Sequence, residues 1–252
     1  ERTLIMKKDF IKILEGIDRS KSRQENFRNF CEMAYCAIAK HTQTNEKKAN
    51  SLEERYMEIV GTYSDKDGVR KMPELLTLST LAISEGGCDF LGEIAGEIEA
   101  LDKQNGQFFT PYHVSKLMAQ IQMPDIASWI DDKGFFSLND PAAGAGCMIL
   151  AAADMVEEQG YDLMETMSVQ VIELNRTTYH MLYIQLSLRG VAAEVIHGNS
   201  LTLETYETAH TPTALHFFGK HGRLFDRQKE APEKEPVIFT PIANTQQLSL
   251  FG

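Results

Sequence analysis

The residues whose types and spacing could do chemistry begin with one short run, Asn139-Asp140-Pro141-Ala142-Ala143-Gly144-Ala145-Gly146. It reads as a glycine-rich turn that closes a buried strand, Gly134-Phe135-Phe136-Ser137-Leu138, and opens a helix over 148–156. Glycines at 144 and 146 remove β-carbons that would block close approach, and the first amides of a helix favour an anionic or polar group. Such a turn serves dinucleotides, phosphates and S-adenosylmethionine alike, and it also occurs as a tight turn with no ligand.

Two further strands end near this turn. Ser168-Val169-Gln170-Val171-Ile172 ends in Glu173, which lies 33 residues after Asp140, the length of one βαβ unit. An acidic side chain there can accept hydrogen bonds from both hydroxyls of a ribose. The alternative is a solvated carboxylate preceding a helix and complementing its dipole. The third strand, Ala193-Glu194-Val195-Ile196-His197, runs into Gly198-Asn199-Ser200, so that three strand ends converge on one edge. A dinucleotide fingerprint fits less well, because Gly144-x-Gly146 has no third glycine and an Asp-Pro precedes the turn.

Asp140-Pro141-Ala142-Ala143-Gly144-Ala145-Gly146 resembles the Asp-Pro-Ala-Cys-Gly-Ser-Gly loop of the N6-adenine DNA methyltransferases of type I restriction–modification systems, with Ala at two positions. Upstream, Gly106-Gln107-Phe108-Phe109-Thr110-Pro111, followed by Val114, Leu117 and Met118, is similar to that family's Gly-x-Phe-Tyr/Phe-Thr-Pro segment. Asp89-Phe90-Leu91-Gly92-Glu93-Ile94 resembles its preceding short helix, and the likeness spans about Asp89 to Leu201. The resemblance implies a Rossmann-like α/β fold with S-adenosylmethionine as cofactor. Phe109, Thr110 and Pro111 would flank the cofactor's amino-acid end. Asp140 and the amides near Ala142, Gly144 and Gly146 would hold its methionine group, Glu173 its ribose, Leu174 the adenine face and Asn199 the adenine edge. Asn199 stands where the family usually has Asp, and an amide both donates and accepts.

The family's catalytic box, Asn/Asp-Pro-Pro-Tyr/Phe, is missing: no Pro-Pro occurs anywhere in the sequence. The exocyclic amine of adenine is a poor nucleophile until acceptors take its hydrogens and an aromatic ring stacks the extruded base. Tyr206, Phe217 or Phe218 could stack a base and His216 could take a proton, but aromatic residues in such positions are more often core. Two readings follow. One is a methyltransferase-derived protein that keeps the fold and cofactor but is impaired in transfer; the other is an active enzyme with an unrecognised base-holding segment near Tyr206 to Phe218.

A second resemblance lies at Gln247-Leu248-Ser249-Leu250-Phe251, which matches the bacterial sliding-clamp-binding pentapeptide at all five positions. It implies that the leucines and Phe251 fill an apolar groove on the clamp while Gln247 hydrogen-bonds at the rim. The preceding 226–236, charged and Pro-containing, reads as a flexible tether. The alternative is a terminal strand that docks on the protein's own sheet together with Val237-Ile238-Phe239.

With a net charge of −11 the chain is a poor non-specific DNA binder unless a basic face or a partner subunit supplies charge. The first 50 residues carry eleven Lys/Arg against seven Asp/Glu, but the two signs interleave as they do on a solvated helix. Cys31, Cys36, Cys88 and Cys147 lack paired-knuckle spacing and read as buried thiols, and His210, His216 and His221 have no companion carboxylate pattern, so no metal is expected. There is neither a secretory h-region nor an apolar run long enough for a membrane, which points to a cytoplasmic protein.

These elements must be positioned by a scaffold in three parts: a helical region at 1–104, a methyltransferase-like α/β domain at 105–225 and a tail at 226–252. Apolar residues recur at helix spacing through Phe27–Ile38 and Leu52–Val60, with Ser51-Leu52-Glu53-Glu54 as a capping box, and helices are expected near 73–84, 90–101 and 177–189. The few residues after Ser200 are short for a seven-stranded doubly wound sheet, so a truncated or degenerate sheet is expected.

Overall fold

The computed structural model describes residues 2–98, 109–131 and 134–225. The chain begins with helices α1 (Arg2–Glu15), α2 (Arg23–Lys40), α3 (Glu46–Gly61), α4 (Lys66–Val69), α5 (Met72–Ser84) and α6 (Phe90–Glu97). Then come α7 (Tyr112–Gln122), α8 (Ala127–Asp131), β1 (Phe136–Asp140), α9 (Cys147–Glu158), α10 (Leu163–Thr166), β2 (Met167–Glu173), α11 (Arg176–Arg189), β3 (Ala192–Asn199), β4 (Glu204–His210) and α12 (Pro212–His221).

Local chemistry explains most of the boundaries. Ser22 and Asn175 cap α2 and α11 by accepting from the amides of Glu25 and Thr178, and Gly190, at φ +82°, ends α11 in the left-handed conformation. The expected capping box at Ser51 is not a helix start. The helix begins five residues earlier, where Asn45 accepts from the amides of Lys47 and Lys48, and Ser51 turns its hydroxyl back onto the Lys48 carbonyl. Nothing between Glu46 and Ala49 breaks a helix, so the better cap upstream prevails.

The sheet has the order β1-β2-β3-β4. β1, β2 and β3 are parallel, with Phe136 opposite Met167 and Ser168 opposite Ala192. β4 is antiparallel to β3, with Asn199 opposite Glu204 and Glu194 opposite His210. This is the truncated Rossmann-like sheet expected, with four strands among the described residues. β4 itself was not anticipated; its β-prone Thr205-Tyr206-Glu207-Thr208 alternates too weakly in hydrophobicity to announce a strand.

One face of the sheet, through Val169, Val171, Ala193, Val195 and Ala209, packs on α9 and α11 in a single apolar cluster. The other face is covered at one end, where Phe135, Ala192 and Phe217 meet beneath α12. Elsewhere it carries a polar ladder across all four strands. Asn139 donates to Gln170 (2.9 Å), Gln170 donates to Glu194 (2.6 Å), and Glu194 lies 3.4 Å from His210.

The helical region has its own aromatic centre, where the ring of Phe10 meets those of Phe27, Phe30 and Phe90 edge-on at 5.2–6.3 Å. The same cluster takes in Met181 and Ile184 of α11 and Ala145 of the loop. Helix α11 is buried over every residue from Thr178 to Leu186, one side on the sheet and the other on the helices. All four cysteines are buried. Among the described residues no helix is long and apolar enough to cross a membrane, and no three His, Cys, Asp or Glu side chains gather as a metal would require.

Candidate functional site

The three parallel strands end on one edge of the sheet, and the Asp140–Gly146 loop crosses it. Ala143 donates to the carbonyl of Ile172 at the end of β2 (3.0 Å), which ties the loop to the next strand. Glu173 faces the loop, half-buried, and accepts from the amides of Gly144 (3.1 Å) and Asn175 (2.7 Å). Burial, the largest influence, raises its carboxyl above the usual range, while these amide hydrogen bonds oppose the shift. A carboxylate has about four lone-pair directions. The directions on Glu173 that the loop amides leave unused face a ligand's hydroxyls.

The loop's own amides serve the turn. Ala142 donates to Asp140 (3.0 Å), Gly144 to Glu173, and Gly146 to the carbonyl of Ala143 (2.9 Å). A ligand reaches these three only by sharing or displacing those partners, whereas the amides opening α9 have no intrahelical acceptor. The two glycines also divide their work. Both are left-handed, at φ +59° for Gly144 and +97° for Gly146. A β-carbon on Gly146 would come 2.8 Å from Leu182 Cδ1, so this glycine lets α11 approach the loop, not a ligand. A β-carbon on Gly144 would meet the Phe109 ring at 3.6 Å, so Phe109 lies against the loop.

Thr110 and Pro111 follow, both exposed, and Pro111 precedes α7. With Phe109 they line a cleft of about 550 Å³ whose other wall is α6, with Asp89, Gly92 and Glu93. Phe109 is thus common to the cleft and the loop. Leu174 is 56% exposed at the end of β2, its carbonyl 3.0 Å from the His197 ring. Asn199 ends β3, and its side-chain oxygen accepts from Leu201 (3.0 Å) and Thr202 (3.3 Å), leaving its amide nitrogen as the group free to meet a ligand. Asp140, Glu173, Leu174 and Asn199 therefore share the edge that Phe109, Thr110 and Pro111 approach from the side.

The antiparallel course of β4 separates the aromatic candidates. Its start, Glu204, pairs with Asn199 at the loop edge, and its end, His210, pairs with Glu194 deep in β3. His216, Phe217 and Phe218 follow that end and belong to α12, on the far side of the sheet from the loop, where Phe217 is core. Phe217 thus packs near the starts of β1 and β3, at the opposite end of the strands from this edge. Of the aromatic candidates only Tyr206 stays near it, 54% exposed and edge-on to His197 at 5.2 Å.

A sequence profile of the N-6 DNA Methylase family matches residues 91–218, half of the chain. The chain belongs to the N-6 DNA methylase family. It is 29% identical over 106 residues to the type I restriction enzyme MjaIX methylase subunit of Methanocaldococcus jannaschii, covering 42% of this chain and 17% of that protein. To the MpnII methylase subunit of Mycoplasma pneumoniae it is 26% identical over 149 residues, 54% of this chain and 26% of that one. The chain thus spans about a quarter or less of the length of these curated relatives. Among solved structures, the type I restriction-modification methyltransferase subunit of Streptococcus thermophilus aligns at 23% identity and a TM-score of 0.30, over 58% of this chain and 26% of that one.

The cofactor of this N-6 DNA methylase fold is S-adenosylmethionine. The donor set fits it: a half-buried carboxylate, an exposed leucine beside it, and a side-chain amide at the end of the next strand.

What the sequence reading missed is the support beneath the loop. Gln185 of α11, fully buried, donates to Ala145 O (2.7 Å) and to Asp89 (2.8 Å) and accepts from the Leu91 amide (3.0 Å). Asp89, the cap of α6, is held up at about 6 by burial. Asp154 of α9 takes Arg189 at 2.8 Å, the Gly87 amide at 2.6 Å and the hydroxyl of Tyr112, which joins the Phe109–Pro111 segment to the helix that follows the loop. No spacing announces these groups, because their partners are 35–96 residues away in sequence.

Proposed function

We propose that this N-6 DNA methylase family member binds S-adenosylmethionine at the loop edge and is impaired in methyl transfer to DNA adenine. Glu173 would take the ribose hydroxyls, Leu174 the adenine face, Asp140 and the loop the methionine group, and Phe109, Thr110 and Pro111 its amino-acid end. With its oxygen engaged by Leu201 and Thr202, Asn199 would offer its NH₂ to a ring nitrogen of the adenine instead of accepting from the exocyclic amine. The bound cofactor would supply an electrophilic methyl group. What is lacking is the partner chemistry: the sequence has no Asn/Asp-Pro-Pro-Tyr/Phe box.

The observation that carries the impaired reading is the direction of β4, which takes His216, Phe217 and Phe218 away from the edge and leaves Tyr206 as the aromatic side chain still near it among those candidates. Action on DNA, with a partner subunit to supply recognition and positive charge, is part of this proposal, since the chain carries a net charge of −11. So is recruitment to a bacterial sliding clamp through Gln247-Leu248-Ser249-Leu250-Phe251, which lies outside the described residues.

Titration with S-adenosylmethionine in a calorimeter, with Glu173→Ala as control, tests the cofactor site. Saturable binding that the variant loses is the expected result, and no heat at millimolar ligand would refute it. Labelled methyl transfer into DNA at a rate typical of such enzymes would refute the impairment. Clamp pull-down that survives Leu250→Ala with Phe251→Ala would refute the recruitment.

A further inference from the structure

The edge of β1 is an unfinished side of the sheet among the described residues. β1 ends the strand order, so its outward amides and carbonyls have no neighbouring strand among the described residues. Its five residues start at Phe136, against whose ring Trp129 of α8 packs at 5.6 Å. Helix α7 lies beside it in the same apolar cluster, held to α9 by Tyr112–Asp154 and Lys116–Glu158. On the roughly opposite flank α7 shows Val114, Leu117, Met118 and Ile121, a stripe at i, i+3, i+4 and i+7. These are 37–70% exposed, a contiguous apolar patch of the kind that marks a contact surface.

We propose that Val237-Ile238-Phe239-Thr240, which lies outside the described residues, adds to β1 as a fifth strand running parallel to it. The segment is β-branched or aromatic throughout and uncharged, whereas 226–235 before it is rich in charge. Pro236 and Pro241 bracket it, as prolines bracket an edge strand whose interior must donate amides. Val237 and Phe239, two apart, fall on one face of such a strand and can meet the apolar side of the sheet.

The route favours this occupant. The last described turn brings Leu224 to the start of β2, where its carbonyl accepts from Ser168, and Ser168 pairs with Ser137 of β1. The position beyond β1 is therefore two strand spacings away, about 10 Å. The eleven residues 226–236 reach roughly 36 Å when extended. Starting from that end of the sheet, the shorter path runs parallel to β1.

The test is residue-resolved amide exchange by NMR on the full 252-residue chain, alongside the double variant Val237→Asp/Phe239→Asp. The β1 amides that point away from β2 should exchange at least about tenfold more slowly in the wild type than in the variant, and the protection should persist on tenfold dilution with a monomer in sedimentation. Three results would overturn the proposal. Fast exchange of those amides in the wild type would mean the edge is open. Protection that fades on dilution would mean a second copy covers it. Protection unchanged by the double substitution would mean that another segment does.

Discussion

Replacing Gln185 by Leu should remove the support of the glycine-rich loop while keeping the volume of the side chain. Gln185 makes three hydrogen bonds at 2.7–3.0 Å, all in a fully buried setting: with Ala145 O, with Asp89 and with the Leu91 amide. Leucine leaves the Ala145 carbonyl and the Leu91 amide without partners and takes one donor from Asp89. An unsatisfied buried polar group costs about 1–3 kcal/mol, so the two together cost roughly 2–6 kcal/mol, a large part of the ~5–15 kcal/mol that holds a domain together. Asp89 gives the loss a pH dependence. Its carboxyl is held up at about 6 by burial, so below that value it is protonated and can donate where Gln185 no longer does. Urea unfolding at pH 5.5 and pH 8 should therefore show a smaller penalty in acid, and calorimetry should show weaker S-adenosylmethionine binding in the folded variant. A penalty below about 1 kcal/mol at both pH values would refute the idea that Gln185 supports the loop.

Three further outcomes can be checked by the same unfolding assay. Arg189→Met should cost about 3–5 kcal/mol, because it leaves Asp154 buried without the guanidinium 2.8 Å away. Gly146→Ala should cost roughly 1–3 kcal/mol, from φ +97° and the 2.8 Å approach to Leu182; adding Leu182→Val should return part of it if crowding contributes. Asp89→Asn tests linkage. The folded carboxyl, at about 6, lies above its ordinary value, so its contribution is fully present in acid below that ordinary value and is lost as pH rises through 6. The wild type should gain stability relative to the variant as pH falls from 7 to 4, and a difference independent of pH would refute it.

The part of the fold that a ligand would touch was legible because it is local. Two glycines, an Asp-Pro and an acidic strand end sit within one βαβ unit, and the strands and helices around them appear within a few residues of where periodicity puts them. The direction of β4 was not legible, since Thr205-Tyr206-Glu207-Thr208 records neither its partner nor its orientation, and with it went the placement of His216, Phe217 and Phe218. Ser51 misled because a capping pattern signals a helix start only where the preceding residues cannot be helical, and Glu46–Ala49 can. Gln185, Asp154 and Arg189 stayed hidden for a different reason. A polar residue inside an apolar helix looks like an interruption until the distant carbonyl, amide or charge that satisfies it is brought alongside.

Helix α11 sets how this architecture can be inherited. Because it is clad on both sides, neither the helical region nor the sheet owns it, and a recombination joint placed between them near residue 104 would transplant a sheet whose central beam has lost half its cladding. Exchange of the N-terminal helices between relatives would then succeed only when Met181, Ile184 and Gln185 travel with the surface they fit. Variation in such a protein should gather at its outer edges, where strands and tails can be added or dropped, while the two halves flanking α11 change in step.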